Sequence, residues 1–293
     1  MEFVGIDLAW GERARTGLAA VGDAGRLTAS GVARSDDEIA AWLAAYAPRA
    51  EVIAVDAPLI VPNASGQRRP ENLIGRAYGR YGASAHTSNR SKPQFDPPRA
   101  ARLATRFGWD IDPTAERSTP RCIEVYPHAA LVGIFELPQR ILYKKGPDRR
   151  TGFDQLATLL ESVDVLDLAH APRWAELRAT IGSPRPGDLD RIEDEIDAVV
   201  CAHVAWLWHH KRASLHVYGS LADGYIVAPP PPSHPADLKR QGVGKARTTV
   251  APLAVAGLST EATAALTALA ASNGVSVGEQ ARQLIEEGLA RRP

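Results

Sequence analysis

Cysteine is scarce: the 293-residue sequence contains two, Cys122 and Cys201. Neither belongs to a CxxC pair or lies at zinc-ligand spacing from a histidine, which argues against a zinc site and a disulfide framework. Both lie in apolar runs, so we expect buried thiols. The sequence also lacks an apolar run of about 20 residues and a basic N-terminal segment followed by an apolar stretch. We therefore expect a cytoplasmic protein that does not contact a membrane.

An excess of charge of either sign is also missing, since 34 Lys and Arg balance 34 Asp and Glu. A strongly basic protein is thereby excluded, but charge can still be segregated along the chain. From Arg68 to Arg121 eleven Lys and Arg accompany five acids, and such a segment suits a phosphate-bearing partner. Its candidates for substrate contact are Arg76 and Arg80. A solvated surface with scattered arginines explains the same composition.

The first part of the sequence predicts an α/β sheet flanked by helices. Three runs rich in strand formers, EFVGIDLAW, TGLAAVG and RLTASGVA, predict an opening meander with a turn at Gly22–Gly25. Ser35 followed by Glu38 is typical of a capping box and predicts a helix from Asp36 to Ala47. The apolar run EVIAVDAPL then predicts a buried parallel strand that ends near Asp56.

The next part predicts an insertion followed by a return to the sheet. Residues 62–120 are rich in Gly, Pro, Ser, Asn and Arg, which favours loops and short helices. RCIEVYPHAAL predicts a strand that turns into a helix near Pro127. A helical section is expected from about 153 to 181, a long helix over 188–211, and a hairpin around 222–224 that closes the domain at about residue 228.

Carboxylates occur at the ends of these elements. Asp7 lies in the middle of the first apolar run, where burying an ionised carboxylate costs several kcal/mol unless a cation, a metal or hydrogen-bond donors compensate it. A solvent-facing aspartate at a strand end is the alternative. The helix dipole explains the acids in the first turn of the long helix, but Asp197 lies deeper, beside the apolar stripe. The set comprises Asp7, Asp56, Glu124, Asp194 and Asp197.

The order of elements resembles the ribonuclease H-like fold, and four segments resemble the bacterial and archaeal family called domain of unknown function 429, which is described as predicted nucleases of that fold. The segments lie across about residues 2–228 and read GIDLAW, VDAPL, IEVYPHAAL with the following YKKG, and DEIDAVVCAHVAWL. The usual helix-A glutamate of that fold has no good counterpart, because a cap explains Glu38. Glu124 is the candidate that takes its place.

The resemblance implies metal-dependent hydrolysis of phosphodiester bonds in a nucleic acid or a nucleotide. Asp7, Asp56 and Asp197 match the three acidic places of the fold, with Asp194 or Glu124 as an auxiliary acid. We see no buried cation to compensate these carboxylates, so Mg²⁺ or Mn²⁺ is expected as the cofactor. Two such ions would activate water and stabilise the leaving oxygen.

Basic and titratable residues near the motifs add candidates with alternatives of their own. Lys144 and Lys145 are candidates for contacting a phosphate, or are solvated loop lysines. His86 and His128 are candidate proton carriers, or structural histidines. A sugar-kinase-like phosphotransferase is disfavoured, because the sequence has no GxxxxGK[ST] loop. A non-catalytic binding or scaffold protein, or a DNA-associated regulator that acts through the C-terminal part, remains an alternative to the nuclease.

The C-terminal part predicts a separate unit. Residues 229–249 form a Pro-rich and then basic linker, and residues 250–293 predict a strand and two helices capped by Ser259 and Ser276. This order resembles a ribbon-helix-helix domain. Since about forty residues bury too little surface alone, we expect the unit to form a homodimer. Its strand offers no polar side chains from 252 to 257, so docking is favoured over DNA reading.

Overall fold

The computed structural model describes residues 1–11, 14–115, 120–236 and 259–273, together with residues 277, 280, 281 and 284. The chain divides into two compact units, Met1–Arg240 and Gln241–Pro293. No helix in these described ranges is both long enough and apolar enough to cross a bilayer. Cys122 and Cys201 are buried free thiols, as the sequence predicts.

A five-stranded mixed sheet forms the centre of the first unit. Its strands are β1 (Glu2–Asp7), β2 (Thr16–Gly22), β3 (Leu27–Ala33), β4 (Ala50–Val55) and β5 (Arg121–Glu124). Neighbouring strands follow the order β3-β2-β1-β4-β5. The first three pair antiparallel, whereas β4 runs parallel to both β1 and β5. The predicted mixed α/β sheet is therefore confirmed, and it brings the carboxyl ends of β1, β4 and β5 to one edge.

Helices and a separate hairpin surround the sheet. The helices are α1 (Asp36–Tyr46), α2 (Arg69–Tyr78), α3 (Arg99–Phe107), α4 (Pro127–Ile134), α5 (Arg149–Glu161), α6 (Pro172–Gly182) and α7 (Asp188–His210). The hairpin consists of β6 (His216–Ser220) and β7 (Gly224–Ala228). Ser35 caps α1 as predicted, because its Oγ accepts a hydrogen bond from the Glu38 N–H at 3.1 Å. The Glu38 carboxylate accepts a hydrogen bond from the Arg34 N–H, one residue before the cap.

The helical section expected from 153 to 181 consists of two helices, α5 and α6, with a loop between them. The prediction that the section is helical throughout is therefore wrong. Between α5 and α6 the chain forms a loop that pairs with the turn between β2 and β3. The Leu27 N–H donates to the Asp167 carbonyl and the Asp167 N–H donates to the Gly25 carbonyl, each at 3.0 Å. Pro172 then begins α6, where its missing N–H costs no hydrogen bond.

Two glycines let the long helix α7 lie directly on the sheet. A Cβ on Gly5 would lie 1.9 Å from the Ala198 carbonyl oxygen, and one on Gly17 would lie 1.8 Å from the Asp194 carbonyl oxygen. Any side chain at these positions would therefore push the helix away from β1 and β2. Because Gly17 pairs with Asp7 across the sheet, this close approach fixes the first turns of α7 beside the end of β1.

The second unit contains the helix α8 (Thr260–Asn273), and its described residues 277, 280, 281 and 284 are helical as well. Ser259 caps it, since the Ala262 N–H donates to the Ser259 Oγ at 3.2 Å. Residues 237–249 of the linker, the strand expected up to 258 and most of the helix expected after Ser276 lie outside the described residues. The ribbon-helix-helix unit and its homodimer thus stay predictions.

Candidate functional site

Two of the predicted carboxylates follow neighbouring parallel strands. Asp7 is the last residue of β1, and Asp56 follows the last residue of β4 directly. The Asp56 N–H donates to the Ile6 carbonyl at 2.8 Å, which continues the parallel ladder to this point. The sequence places Asp7 within an apolar run, but the strand ends there, and both side chains are half-buried. Two acids therefore share one edge of the sheet.

Helix α7 adds further acids beside Asp7. Asp197 is fully buried, at 0% exposure, whereas the Asp194 side chain is 29% exposed. Glu193, on the same turn as Asp194, is half-buried. The close contact of Gly17 with the Asp194 backbone carries this turn of the helix to the end of β1. The structure thus brings Asp7, Asp56, Asp194 and Asp197 to one region, which we call the carboxylate cluster.

A lysine compensates part of this negative charge. The Lys144 Nζ lies 2.6 Å from the Asp197 Oδ2 and 3.7 Å from the Glu193 Oε1. The Tyr143 hydroxyl donates to the other Asp197 oxygen at 2.6 Å. The expectation that no cation lies among these carboxylates is therefore wrong. The YKKG motif marked Lys144 from the sequence, but only the fold shows that its ammonium points at an acid. Tyr143 is a site residue that the sequence analysis missed.

Burial raises the pKa values of acids in the cluster, and the nearby positive charge is too small to lower them again. Burial raises the pKa of Asp7 well above its usual value, and the charge of Asp197 adds to the rise. Burial likewise raises the pKa of Asp56 to about 7, although Lys144 opposes this shift. Burial lowers the pKa of Lys144, but the surrounding acids, Asp197 first, reverse the effect and raise it overall. Asp56 therefore exchanges a proton near neutral pH.

Glu124 belongs to a second group of buried charges. Arg68 donates from Nη2 to the Glu124 Oε1 at 2.6 Å and from Nη1 to Oε2 at 3.0 Å, and the Leu59 N–H also donates to Oε2. The Arg68 Nε donates to Glu71 at 2.8 Å. Burial raises the pKa of Glu124 while Arg68 opposes the rise. We call Arg68, Glu71 and Glu124 the arginine network.

The two partners of Glu124 in this network were not predicted from the sequence. Arg68 appeared only as one charge of a basic segment, and Glu71 as one of its five acids. Their spacing of three residues at the start of α2 is a local signal for a capping pair, which the structure confirms. Nothing in the sequence indicates the contact across 56 positions to Glu124. Glu124 thus lies at the end of β5 with its oxygens engaged by protein donors.

A cleft of about 460 Å³ opens above the carboxylate cluster. Asp7, Asp56 and Asp194 line it together with Lys144 and Lys145. The remaining polar residues of its wall are Arg68, Ser84, His86, Ser88, Glu124, Tyr126, His128 and Arg140. We call it the carboxylate cleft. Its charged lining comprises four acids and four bases, and the bases Arg140 and Lys145 can attract an anionic group.

The two candidate histidines and the two candidate arginines are placed differently. His86 and His128 both line the carboxylate cleft, and burial lowers the pKa of His128 to about 4, so this ring is neutral at physiological pH. Arg76 and Arg80 are exposed on α2 and the turn that follows it, and neither lines the cleft. Arg140, which the sequence analysis did not single out, lies on the cleft wall.

A wider cleft of about 720 Å³ adjoins the first one. Asp7, Trp10 and Asp194 line both clefts. Arg15, Arg34, Asp190 and Glu193 complete the polar wall of the wider cleft. The exposed Trp10 ring lies against Phe95, with 5.2 Å between the ring centroids. The carboxylate cluster therefore lies at the junction of two open spaces.

Three of the eleven basic residues of segment 68–121 lie inside the fold: Arg68, Arg99 and Arg121 are buried. Arg99 donates to Asp36 and to the carbonyl oxygen of Ala9, while Arg121 donates to two carbonyl oxygens of the loop that precedes β5. Much of this charge therefore holds the chain together, which composition alone could not show.

The donor chemistry of the carboxylate cluster suits a hard cation, but its arrangement does not. Carboxylate oxygens are the ligands that Mg²⁺ and Mn²⁺ prefer. Among the described residues, however, no three acidic, histidine or cysteine side chains are grouped so that they could hold a metal ion. The ammonium of Lys144 lies against Asp197 instead. As arranged, the cluster does not fit a bound metal.

Comparison with known proteins identifies the family. A family model described as "Protein of unknown function (DUF429)" matches residues 5–220. This range covers the sheet except the first three residues of β1, together with α7 and the first strand of the hairpin, and it includes every residue of the carboxylate cluster. The searches of curated proteins and of solved structures returned no match. The chain belongs to the DUF429 family, as the four sequence segments predict.

Proposed function

We propose that this member of the DUF429 family hydrolyses phosphodiester bonds of a nucleic acid or nucleotide in the carboxylate cleft. The acids that the proposal places at the reaction are Asp7, Asp56 and Asp194, whereas Asp197 is paired with Lys144. The observation that carries it is the convergence of Asp7 and Asp56 with Asp194 at one open cleft.

The position of the cleft supports a ligand site. In open α/β sheets, ligands bind outside the carboxyl ends of parallel strands, and β1 and β4 end here. Residues with strongly shifted pKa values also cluster at functional sites. Asp56, with its pKa raised to about 7 by burial, can accept or release a proton near neutral pH. Arg140 and Lys145 on the wall can attract a phosphate.

A non-catalytic binding protein of the same fold is the second candidate function. The Lys144–Asp197 ion pair favours it, because an internal cation already compensates part of the cluster. Such a protein would bind an anionic partner in the cleft through Lys145 and Arg140 without turnover. The two candidates differ in whether a bound phosphodiester is cleaved.

The test is a cleavage assay with the full chain. Single- and double-stranded DNA and RNA, and a chromogenic phosphodiester, are incubated with Mg²⁺, Mn²⁺ or EDTA, using the wild type and Asp7→Asn. We expect cleavage that Asp7→Asn lowers about 100-fold or more. Asp154→Asn is the matched control, because this aspartate is 63% exposed on α5. Equal activity of wild type and Asp7→Asn, or no cleavage with any substrate, would overturn the proposal.

A further inference from the structure

We propose that the first turn of α4 and the segment 140–145 form a binding site for a phosphate monoester, such as the terminal phosphate of a nucleotide or of a nucleic-acid end. We call it the phosphate subsite, and its donors are His128, the N–H of Ala129, Arg140 and Lys145. The inference deepens the proposed function and rests on it for the role of the subsite, whereas the binding itself can be measured without cleavage. It implies that the protein acts at phosphorylated ends rather than within a strand.

The beginning of α4 offers backbone donors to the carboxylate cleft. Tyr126, the cap residue, and His128 both line the cleft, so this end of the helix faces it. The Tyr126 side chain makes no capping hydrogen bond, and Pro127 has no N–H to be satisfied. For the N–H groups of His128 and Ala129 no acceptor is recorded in the described chain, as is usual in the first turn of a helix. Such donors, together with the helix dipole, favour a phosphate group.

His128 is a buried polar side chain on the cleft wall whose ring is left without a hydrogen bond. It is 8% exposed, and its Nδ1 is shielded from solvent, yet Nδ1 has no hydrogen-bond partner among the described residues. Burial lowers the pKa of the ring to about 4, so the ring is neutral and carries one N–H. The charges of Lys144 and Arg140 also lower this pKa, which places Arg140 near the ring. A phosphate oxygen in the cleft would supply the missing acceptor.

Two bases of the cleft wall are available to an anion. For Arg140 and Lys145 no carboxylate partner is recorded in the described chain, whereas Arg68 and Lys144 are each paired with an acid. The Arg140 side chain lies against Gly82, where a Cβ would be 3.5 Å from the Arg140 Cγ. Hydrogen bonds from guanidinium and ammonium groups to phosphate are stronger than neutral ones. Two cations and several N–H donors suit the three free oxygens of a monoester better than the two of a diester.

The position of the subsite relates it to the carboxylate cluster. The Val125 N–H donates to the Val55 carbonyl at 2.9 Å, so β5 pairs with β4 up to one residue before the cap of α4. Asp56 follows Val55, which puts its backbone one strand spacing, about 5 Å, from the backbone that leads into α4. A terminal phosphate bound at α4 would therefore place the adjoining phosphodiester in the space that Asp7 and Asp56 line. An uninterrupted strand would leave the additional donors unused.

Calorimetric titration of the full chain with inorganic phosphate and with a nucleoside monophosphate tests the subsite. The wild type should bind both, and Arg140→Met should weaken each affinity about tenfold, because it removes a charge-assisted hydrogen bond. Lys145→Met changes an exposed residue, so it should fold normally and weaken binding several-fold. Arg76→Met is the matched control, since it removes the same charge from an exposed residue of α2 outside the cleft. No binding by the wild type, or equal affinities of the Arg140 and Arg76 variants, would overturn the inference.

Two further comparisons separate this inference from the proposed function. A cyclic nucleotide, which contains a diester but no monoester, should bind about tenfold more weakly than the monophosphate, and equal binding would overturn the monoester assignment. Oligonucleotides with a terminal phosphate should be cleaved faster than those without one, and Arg140→Met should remove the preference. Phosphate binding that Arg140→Met weakens, without cleavage of any diester, keeps the subsite and overturns the hydrolase. Cleavage that is equally fast with and without a terminal phosphate overturns the inference alone.

Discussion

Two groups of buried acids lie next to each other at the same sheet edge, and they differ in how their charge is compensated. In the arginine network, one guanidinium contacts both Glu124 oxygens and also Glu71, and the Leu59 and Ser88 N–H groups add further donors. In the carboxylate cluster, one ammonium serves several acids and lies in direct contact with Asp197. Each carboxylate of the first group accepts three hydrogen bonds, from Arg68 and from backbone N–H groups, whereas the acids of the second group share one ammonium.

This difference indicates which group is structural and which can do chemistry. A buried carboxylate with both oxygens engaged by fixed donors has little capacity left for a ligand. Asp7 and Asp56 are half-buried and line an open cleft, and burial raises the pKa of each. All three acids line the carboxylate cleft, but Glu124 is held by the arginine network, so we assign Glu124 to stability and Asp7 and Asp56 to the chemistry.

The largest effect is expected from breaking the arginine network. Arg68→Met leaves Glu124 and Glu71 buried without their cation, and we expect it to lower the free energy of unfolding by about 3–5 kcal/mol. Urea denaturation followed by circular dichroism measures this change. The neighbouring Arg69→Met is the control, because Arg69 is 67% exposed and its pair with Asp223 should contribute at most about 1 kcal/mol. Similar losses in both variants would show that the network is not structural.

Neutralising Asp56 in the carboxylate cluster is expected to have an intermediate effect of opposite sign: it should raise the free energy of unfolding at high pH. The pKa of Asp56 is about 7 in the folded protein and near 3.8 when unperturbed, so the folded state holds this proton more strongly. Asp56 therefore stabilises the fold at low pH, and this contribution is lost as the pH rises from about 4 through about 7. Asp56→Asn should remove this loss of stability at rising pH.

The measurement is urea denaturation in EDTA at several pH values for wild type and Asp56→Asn. The free energy of unfolding of Asp56→Asn minus that of wild type should be about 2 kcal/mol larger at pH 8 than at pH 4. This figure allows for solvent screening of a half-buried group. His128 titrates in the opposite sense, because burial lowers its pKa to about 4, but it is present in both proteins and cancels. A pH-independent difference would contradict the assignment.

The contrast between the two groups shows what the sequence can and cannot predict. Periodicity and capping signals are local, so they predicted the strands, the Ser35 cap and the long helix that bears Asp197. Which cation meets which acid depends on contacts between distant segments. Lys144 and Asp197 are 53 positions apart, and their pairing requires glycines at 5 and 17 that admit α7 and a glycine at 152 that admits α5.

The same limit explains the break between α5 and α6 and the placement of the basic residues. The loop after α5 is held by backbone hydrogen bonds to a turn more than 130 positions earlier, which a local helical period cannot indicate. Composition likewise does not distinguish buried from exposed charge, and Arg68 and Arg99 are both buried. Residue type and spacing thus identified the acids, while their environment decided their roles.

The smallest effect on stability is expected where the cluster is most exposed to the clefts. Asp194 is 29% exposed and its only recorded ion pair in the described chain is a 3.9 Å contact with Arg15, so Asp194→Asn should change the free energy of unfolding by less than about 1 kcal/mol. Because Asp194 lines both clefts beside Asp7, the same variant should lower the rate of phosphodiester cleavage several-fold. Glu124→Gln should show the reverse pattern, a larger loss of stability with cleavage retained. A matching response of both variants would remove the distinction between the two groups of acids.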